Sequence, residues 1–244
     1  SQLGNEVGFI GKINSDDLGR KYEEGLIKEK VQYFYKKKEE ISPTGTCLIL
    51  ITPDAERTMV TFLGIAGKIN EKDISEKAIK ESEIIFLEGY LWDEGEPKSA
   101  FDKAMALSDK KAMSLSDQFC VERHKDNFLS LIKNKLDITF ANEQEIKSLI
   151  NTNSFDEVIT FGKQLKKLLI VTRGDKGSVA VEGDKIFECA SHKDLKIIDL
   201  TGAGDLFAAG FLHGYINNFN IQKSLEKGTE MSSKIIQKIG ARLS

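Results

Sequence analysis

Leu168-Leu169-Ile170-Val171 is an unbroken apolar run, and a strand with no polar alternation fits where a sheet is covered on both faces. The chain around it alternates. Ile74 to Ser82 reads as a helix and Ile84-Ile85-Phe86-Leu87 as a buried strand. Pro97 opens a helix through Ala100, Ala104 and Leu107, and Ala112-Met113-Ser114-Leu115 is a short strand. Phe128 to Leu136 is helical, Ile138-Thr139-Phe140-Ala141 is a strand, and Glu143 to Ile150 and Phe155 to Leu165 are helices. Strands alternating with helices imply right-handed βαβ units, a parallel sheet and the α/β class. Two segments break the rhythm. Val179-Ala180-Val181 and Ile186-Phe187-Glu188-Cys189 flank Glu182-Gly183-Asp184-Lys185 as a hairpin. Thr46 to Thr52 and Met59 to Leu63 flank the polar stretch Pro53 to Thr58 with no helix between them, as a small antiparallel appendage would. No repeat or linker divides the 244 residues. The expectation is a single domain over 1–244 with a lid-like β insertion around 45–64.

Composition narrows the partners. Apolar residues make up 40% and charged residues 30%, a globular balance. The net charge is −3, and the lysines are interleaved with Glu and Asp, so no basic stripe argues for nucleic acid. The run Lys36-Lys37-Lys38-Glu39-Glu40 reads as a solvated edge. No apolar run approaches a membrane span, and no signal-peptide pattern opens the chain. Cys47, Cys120 and Cys189 are far apart and odd in number, so a reducing cytoplasm is the expected compartment. His124, His192 and His213 have no ligand spacing with one another or with the cysteines, and no directly held metal is expected.

Asp199-Leu200-Thr201-Gly202-Ala203-Gly204-Asp205 carries the chemistry. Leu195, Ile197 and Ile198 before it read as a strand end. Phe207, Phe211 and Tyr215 recur at i, i+4 and i+8, so a helix follows. A turn of this kind aims free N–H groups of Gly202, Ala203 and Gly204 at the positive end of a helix dipole, an anion site. Asp205 stands in the first helical turn, where a low pKa is expected. An anion hole beside a carboxylate suits phosphoryl transfer, with the carboxylate accepting the proton of an attacking hydroxyl. The same residues also fit a plain turn with glycines for positive φ. The dinucleotide fingerprint fits poorly, because Phe207 stands where it needs a small residue. Asn142 and Glu145, three apart after a strand, match an N-cap with a capping-box glutamate. Thr172, Gly174 and Gly177 follow the buried strand, where open α/β sheets bind ligands, and also fit a plain turn before the hairpin.

Together these residues resemble the PfkB carbohydrate kinases, the ribokinase-like family that includes adenosine kinase. Asp199 to Asp205 is similar to that family's D-T-x-G-A-G-D signature, with Leu200 at the Thr position. Asn142-Glu143-Gln144-Glu145 resembles its N-x-x-E motif, and Thr172-Arg173-Gly174-Asp175-Lys176-Gly177 its T-x-G-x-x-G nucleotide loop. Gly8 to Gly19 is similar to its G-x-x-G-x-D-x-x-G region. Glu56-Arg57-Thr58-Met59 and Glu88-Gly89-Tyr90-Leu91-Trp92 look most like the adenosine-kinase-like branch.

The resemblance implies a three-layer α/β/α sandwich with a mostly parallel central sheet and a small β lid. It implies an ATP-dependent, Mg2+-requiring kinase that phosphorylates a hydroxymethyl group of a nucleoside or sugar, an adenosine-like nucleoside being favoured. A sugar kinase of ribokinase or fructokinase type, or a non-catalytic nucleotide-binding homologue, stands as the alternative. By the same resemblance Asp205 is the base, and Thr172, Gly174, Gly177 and Thr201 hold the nucleotide. Asn142 and Glu145 order waters around a phosphate-bound Mg2+, and Arg57 reaches a phosphate from the lid. An ion pair of Arg57 with Asp54 or Glu56 is the competing expectation, and Tyr90 and Trp92 fit either core or pocket wall. A homodimer through the lid is a further expectation. The family also has an opening segment upstream of the position matching Ser1, with a core strand, a substrate-binding aspartate and a Gly-Gly loop, so residues before Ser1 are expected in the working molecule.

Overall fold

A computed structural model describes residues 1–35, 38–92 and 96–243. Lys36 and Lys37 of the charged run lie outside the described residues. The strands are β1 (Val7–Phe9), β2 (Val31–Tyr33), β3 (Thr46–Ile51), β4 (Arg57–Phe62), β5 (Ile85–Glu88), β6 (Lys111–Ser114), β7 (Ile138–Asn142), β8 (Leu168–Thr172), β9 (Ser178–Glu182) and β10 (Lys185–Cys189). The α-helices are α1 (Asp17–Lys28), α2 (Glu76–Glu81), α3 (Glu96–Leu107), α4 (Gln118–Asn134), α5 (Glu143–Ile150), α6 (Phe155–Leu165), α7 (Ala203–Ile216) and α8 (Ile221–Ile235). The chain clusters into two compact units. One is Ser1–Leu50, Thr58–Ile85 and Leu91–Asp109; the other is Ile51–Arg57, Phe86–Tyr90 and Lys110–Ser244.

In the first unit β1 and β2 pair in parallel, with Val7 opposite Val31. The Gly8-to-Gly19 region builds the start of α1. Asp16 caps it, taking the Gly19 N–H on Oδ1 (2.8 Å) and the Thr44 N–H on Oδ2 (2.8 Å). A Cβ on Gly19 would lie 1.9 Å from the Asn14 carbonyl oxygen, so only glycine fits there. Lys38 and Glu39 are exposed, but Glu40 departs from the expected solvated edge. It accepts the Tyr35 hydroxyl (2.8 Å) and faces buried Lys12 (3.7 Å), which also has Asp73 at 3.4 Å. A buried ammonium needs such partners to offset its lost hydration. β3 and β4 form a separate two-stranded sheet. Its residues Leu48, Leu50, Met59, Val60 and Phe62 are exposed. Trp92 is core, buried edge-on against Phe101.

The second unit carries most of the six-stranded sheet, in the order β10-β9-β8-β7-β6-β5. β6, β7 and β8 run parallel, and the β9–β10 hairpin returns antiparallel. Alternation along the strands assigns the helices to faces. Gly162 of α6 lies against the side chains of Leu169 and Val181, opposite residues of β8 and β9. Phe211 of α7 meets Phe140 of β7, whose register partner is Ile170 on the other face of β8. The sheet is therefore covered on both sides, and the expected α/β/α layering holds. Phe86 departs from the expected buried strand. β5 ends the sheet and Phe86 is 36% exposed, though its ring still meets Phe140 edge-on (5.7 Å). Residues 195–198 form no strand. The N–H groups of Ile198 and Asp199 both bond the Ile236 carbonyl after α8 (2.8 and 3.3 Å), so a helix end takes the place of a ladder partner. Among the described residues no helix is long and apolar enough to cross a membrane.

Candidate active site

The signature turn is held from behind. Asp199 is buried, with its Oδ1 on the Thr201 N–H (2.8 Å) and its Oδ2 on the Gly240 N–H (2.8 Å). Burial works against that carboxylate, but the bonds from Thr201 and Gly240 and the Arg57 charge hold its pKa below the ordinary value. Thr201 is itself buried. Gly202 sits in the left-handed region at φ +79° as the residue before α7, where a side chain would be strained. The Ala203 N–H is spent on the Leu200 carbonyl (3.2 Å), so it departs from the expected trio of free donors. Among the described residues the N–H groups of Gly204 and Asp205 bond no other part of the chain. A Cβ built on Gly204 would meet nothing within 4 Å.

Asp205 projects from the first turn of α7 and is exposed to solvent. Its carboxyl is nevertheless pushed up from its ordinary value by burial among surrounding groups, against the opposing Arg57 charge. The low value expected from the helix N-terminus is thus reversed, because lost hydration outweighs the Arg57 charge. Arg57 opens β4, and its charge is felt at both Asp205 and Asp199. Asp54, its expected partner, instead bonds Thr52 and the Glu56 N–H. The Ala55 carbonyl between them accepts the Leu200 N–H (3.4 Å).

The carboxyl ends of neighbouring strands supply three more acids: Glu88 ends β5, Asp117 follows β6, and Glu145 follows β7. Sequence reading did not single out Glu88 by role, nor Asp117. Their signal is a polar residue at the end of an apolar strand. Glu88 accepts the Ser116 hydroxyl (3.0 Å), and Ser116 holds a left-handed backbone at φ +73°. Burial, then the charges of Asp205 and Glu145, push Glu88 up to about 7. Asn142 and Glu145 form the full capping box. Glu145 Oε2 takes the Asn142 N–H (2.9 Å), Glu145 Oε1 takes Asn142 Nδ2 (2.6 Å), and Asn142 Oδ1 takes the Glu145 N–H (2.8 Å). Burial pushes Glu145 up to about 7 as well, with Asp117 adding to it and the Asn142 bonds opposing. The cluster is short of positive charge, which suits a cation or a bound ligand's counter-ion. Among the described residues no three His, Cys, Asp or Glu side chains are close enough to hold a metal ion directly.

Raised acids make stability pH-dependent. The fold binds the Glu88 proton more tightly than the unfolded chain does, so stability falls as pH rises from about 4.5 to about 7. Glu88→Gln has no charge to bury. Its melting temperature is expected to exceed that of the parent at pH 8 and to lose the advantage at pH 4.5. An offset equal at both pH values in thermal unfolding would contradict this account.

Thr172 ends β8 opposite Asn142 of β7, so the two turns leave the sheet side by side. Gly174 is left-handed (φ +58°) with open space at its Cβ position. Gly177 (φ +85°) is glycine for the chain's own sake, since a Cβ would lie 2.1 Å from the Cys189 carbonyl oxygen. Arg173 donates from Nε to Glu143 Oε2 (2.8 Å). Burial pulls Glu143 up, but its bonds to Lys147 and Arg173 prevail and hold it down to about 2. Tyr90 and Phe119 are exposed rings near these strand ends, and Tyr90 donates its hydroxyl to the Ser116 carbonyl (3.3 Å). Phe119 also escaped sequence reading; its signal is an aromatic residue two positions after the Asp117 cap.

The solved adenosine kinase of Sinorhizobium meliloti superposes with a TM-score of 0.95 at 33% identity, over 98% of this chain and 75% of that one. A chain from Escherichia coli in complex with ATP and Mg2+ superposes at 0.89 and 17% identity, over 98% of this chain and 80% of that one, a likeness of fold. An uncharacterized sugar kinase of Archaeoglobus fulgidus is 26% identical over 99% of this chain and 96% of its own length. The model of the pfkB family carbohydrate kinases matches residues 1–244, and the chain belongs to that family, phosphotransferases that act on an alcohol group.

Proposed function

We propose that this chain transfers the γ-phosphate of ATP to the hydroxymethyl oxygen of a nucleoside, with an adenosine-like ribonucleoside as acceptor. The observation that carries the reading is the opening of α7, where two unspent N–H groups and open space at Gly204 stand beside the Asp205 carboxyl. The Gly204 and Asp205 donors hold oxygens of the transferring phosphoryl group. Asp205 accepts the acceptor's hydroxyl proton on its carboxylate, and its raised pKa makes it a better base than a helix-terminal acid in water. Arg57 meets phosphate oxygens through its planar fork. Gly174, open above its backbone, leaves room for the nucleotide along the Thr172–Gly177 turn.

The acidic cluster of Glu88, Asp117 and Glu145, short of positive charge, fits Mg2+ reached through its waters, since magnesium keeps several waters and needs few protein ligands. Asn142 and Glu145 would orient those waters, and bound Mg2+ offsets phosphate charge. The exposed Phe119 ring supports an acceptor with an aromatic base, which a sugar lacks. The apolar residues exposed on the β3–β4 hairpin support a second copy of the chain as its partner. A coupled assay of the whole protein with ATP and Mg2+ against nucleosides and free sugars tests the reading. Turnover fastest with adenosine is expected. Faster turnover with ribose or fructose would replace the acceptor, and ATP binding without turnover on any acceptor would refute the reading.

A further inference from the structure

Asn142 and Thr172 are register partners on adjacent parallel strands, and the next residue of each, Glu143 and Arg173, meet in an ion pair. Both side chains are largely covered, at 17% and 20% exposure, so the pair is less screened than a surface one. Lys147 takes the other oxygen of Glu143 (2.6 Å), which fixes the carboxylate's orientation. The Arg173 guanidinium also lies 3.5 Å above the Phe155 ring at the start of α6. Arginine alone can stack its plane and donate in-plane at once; lysine cannot.

The turn needs such an anchor. Its internal bonds are Arg173 N–H to the Gly177 carbonyl (2.8 Å), Lys176 N–H to the Arg173 carbonyl (3.1 Å) and Gly177 N–H to the Gly174 carbonyl (3.1 Å). They shape the turn but do not aim it. We propose that Arg173 is a positioning residue: through Glu143 and Phe155 it locks the Thr172–Gly177 turn to the Asn142–Glu145 box and so sets the distance between nucleotide and phosphate contacts. This rests on the reading of the Thr172–Gly177 turn as the nucleotide site.

The test compares Arg173→Ala, Glu143→Gln, the double variant and Arg173→Lys in the whole protein. KM for ATP, KM for the acceptor, kcat and melting temperature are measured for each. KM for ATP is expected to rise about tenfold in each single variant, with acceptor KM unchanged. The double variant should be no worse than either single one, because the two residues act as one unit. Arg173→Lys keeps the charge without the stack and should fall between. A lower melting temperature with unchanged KM for ATP would reduce the pair to a structural role and overturn the proposal. So would equal rises in both KM values. Gly174→Asn separates the underlying reading, since Asn tolerates the left-handed backbone and fills only open space. Unchanged KM for ATP in that variant removes the nucleotide reading of the turn, and the positioning proposal with it. A rise there without one in Arg173→Ala removes the positioning role alone.

Discussion

Asp205→Asn is expected to lower kcat by about 10²–10⁴-fold while nucleotide affinity stays within a few-fold. The substitution keeps the side chain's size and removes only its ability to take a proton. Asn has no charge to desolvate, so the variant's melting temperature near neutral pH should equal or exceed the parent's. The raised carboxyl strengthens this expectation, because a base whose pKa is lifted toward working pH contributes more to proton removal. Arg57 would then face a neutral amide, which leaves phosphate affinity unharmed or slightly improved. Steady-state kinetics with separate ATP titration distinguishes the two quantities. Turnover within a few-fold of the parent would remove Asp205 from the role of base.

What sequence reading reached depended on how local the cause was. α5 and α6 were read to their end residues because apolar spacing and, for α5, the Asn142–Glu145 box lie inside the segment itself. α8 escaped because small residues interrupt its apolar stripe: Ser224, Gly228, Thr229 and Ser233 are buried beside Leu225, Met231 and Ile235. A Cβ on Gly210 would lie 2.5 Å from the Lys227 carbonyl oxygen, and one on Gly228 would lie 2.8 Å from that of Phe207. The helices α7 and α8 therefore approach backbone to backbone, and the legible sign was Gly210 and Gly214 four apart. Residues 195–198 looked like a strand because apolar content does not say who supplies the hydrogen bonds. The signature's position was legible, but the division of labour within it was not. Asp199 braces the turn while Asp205 faces outward, a difference marked by the distant Gly240, whose N–H bonds Asp199. Glu88, Asp117 and Glu145 come together only once three strands are ordered side by side.

Gly204→Val should lower kcat/KM by about 10²-fold or more, with a melting temperature within a few degrees of the parent. A Cβ at residue 204 meets nothing within 4 Å, and its backbone is outside the left-handed region, so the chain itself does not require glycine. Valine is no worse a helix former than the glycine it replaces, so propensity costs the fold nothing here. What the isopropyl group does fill is the open space over the Gly204 and Asp205 N–H groups, where a phosphoryl oxygen would sit. Gly202→Ala supplies the contrast. At φ +79°, with Ala241 3.1 Å from the added carbon, it strains the fold and should lower the melting temperature. Loss of turnover in Gly204→Val with the fold preserved would assign the space to the ligand. Parental turnover in that variant would mean that the opening of α7 holds no phosphoryl group, and the proposed mechanism would fail at its first contact.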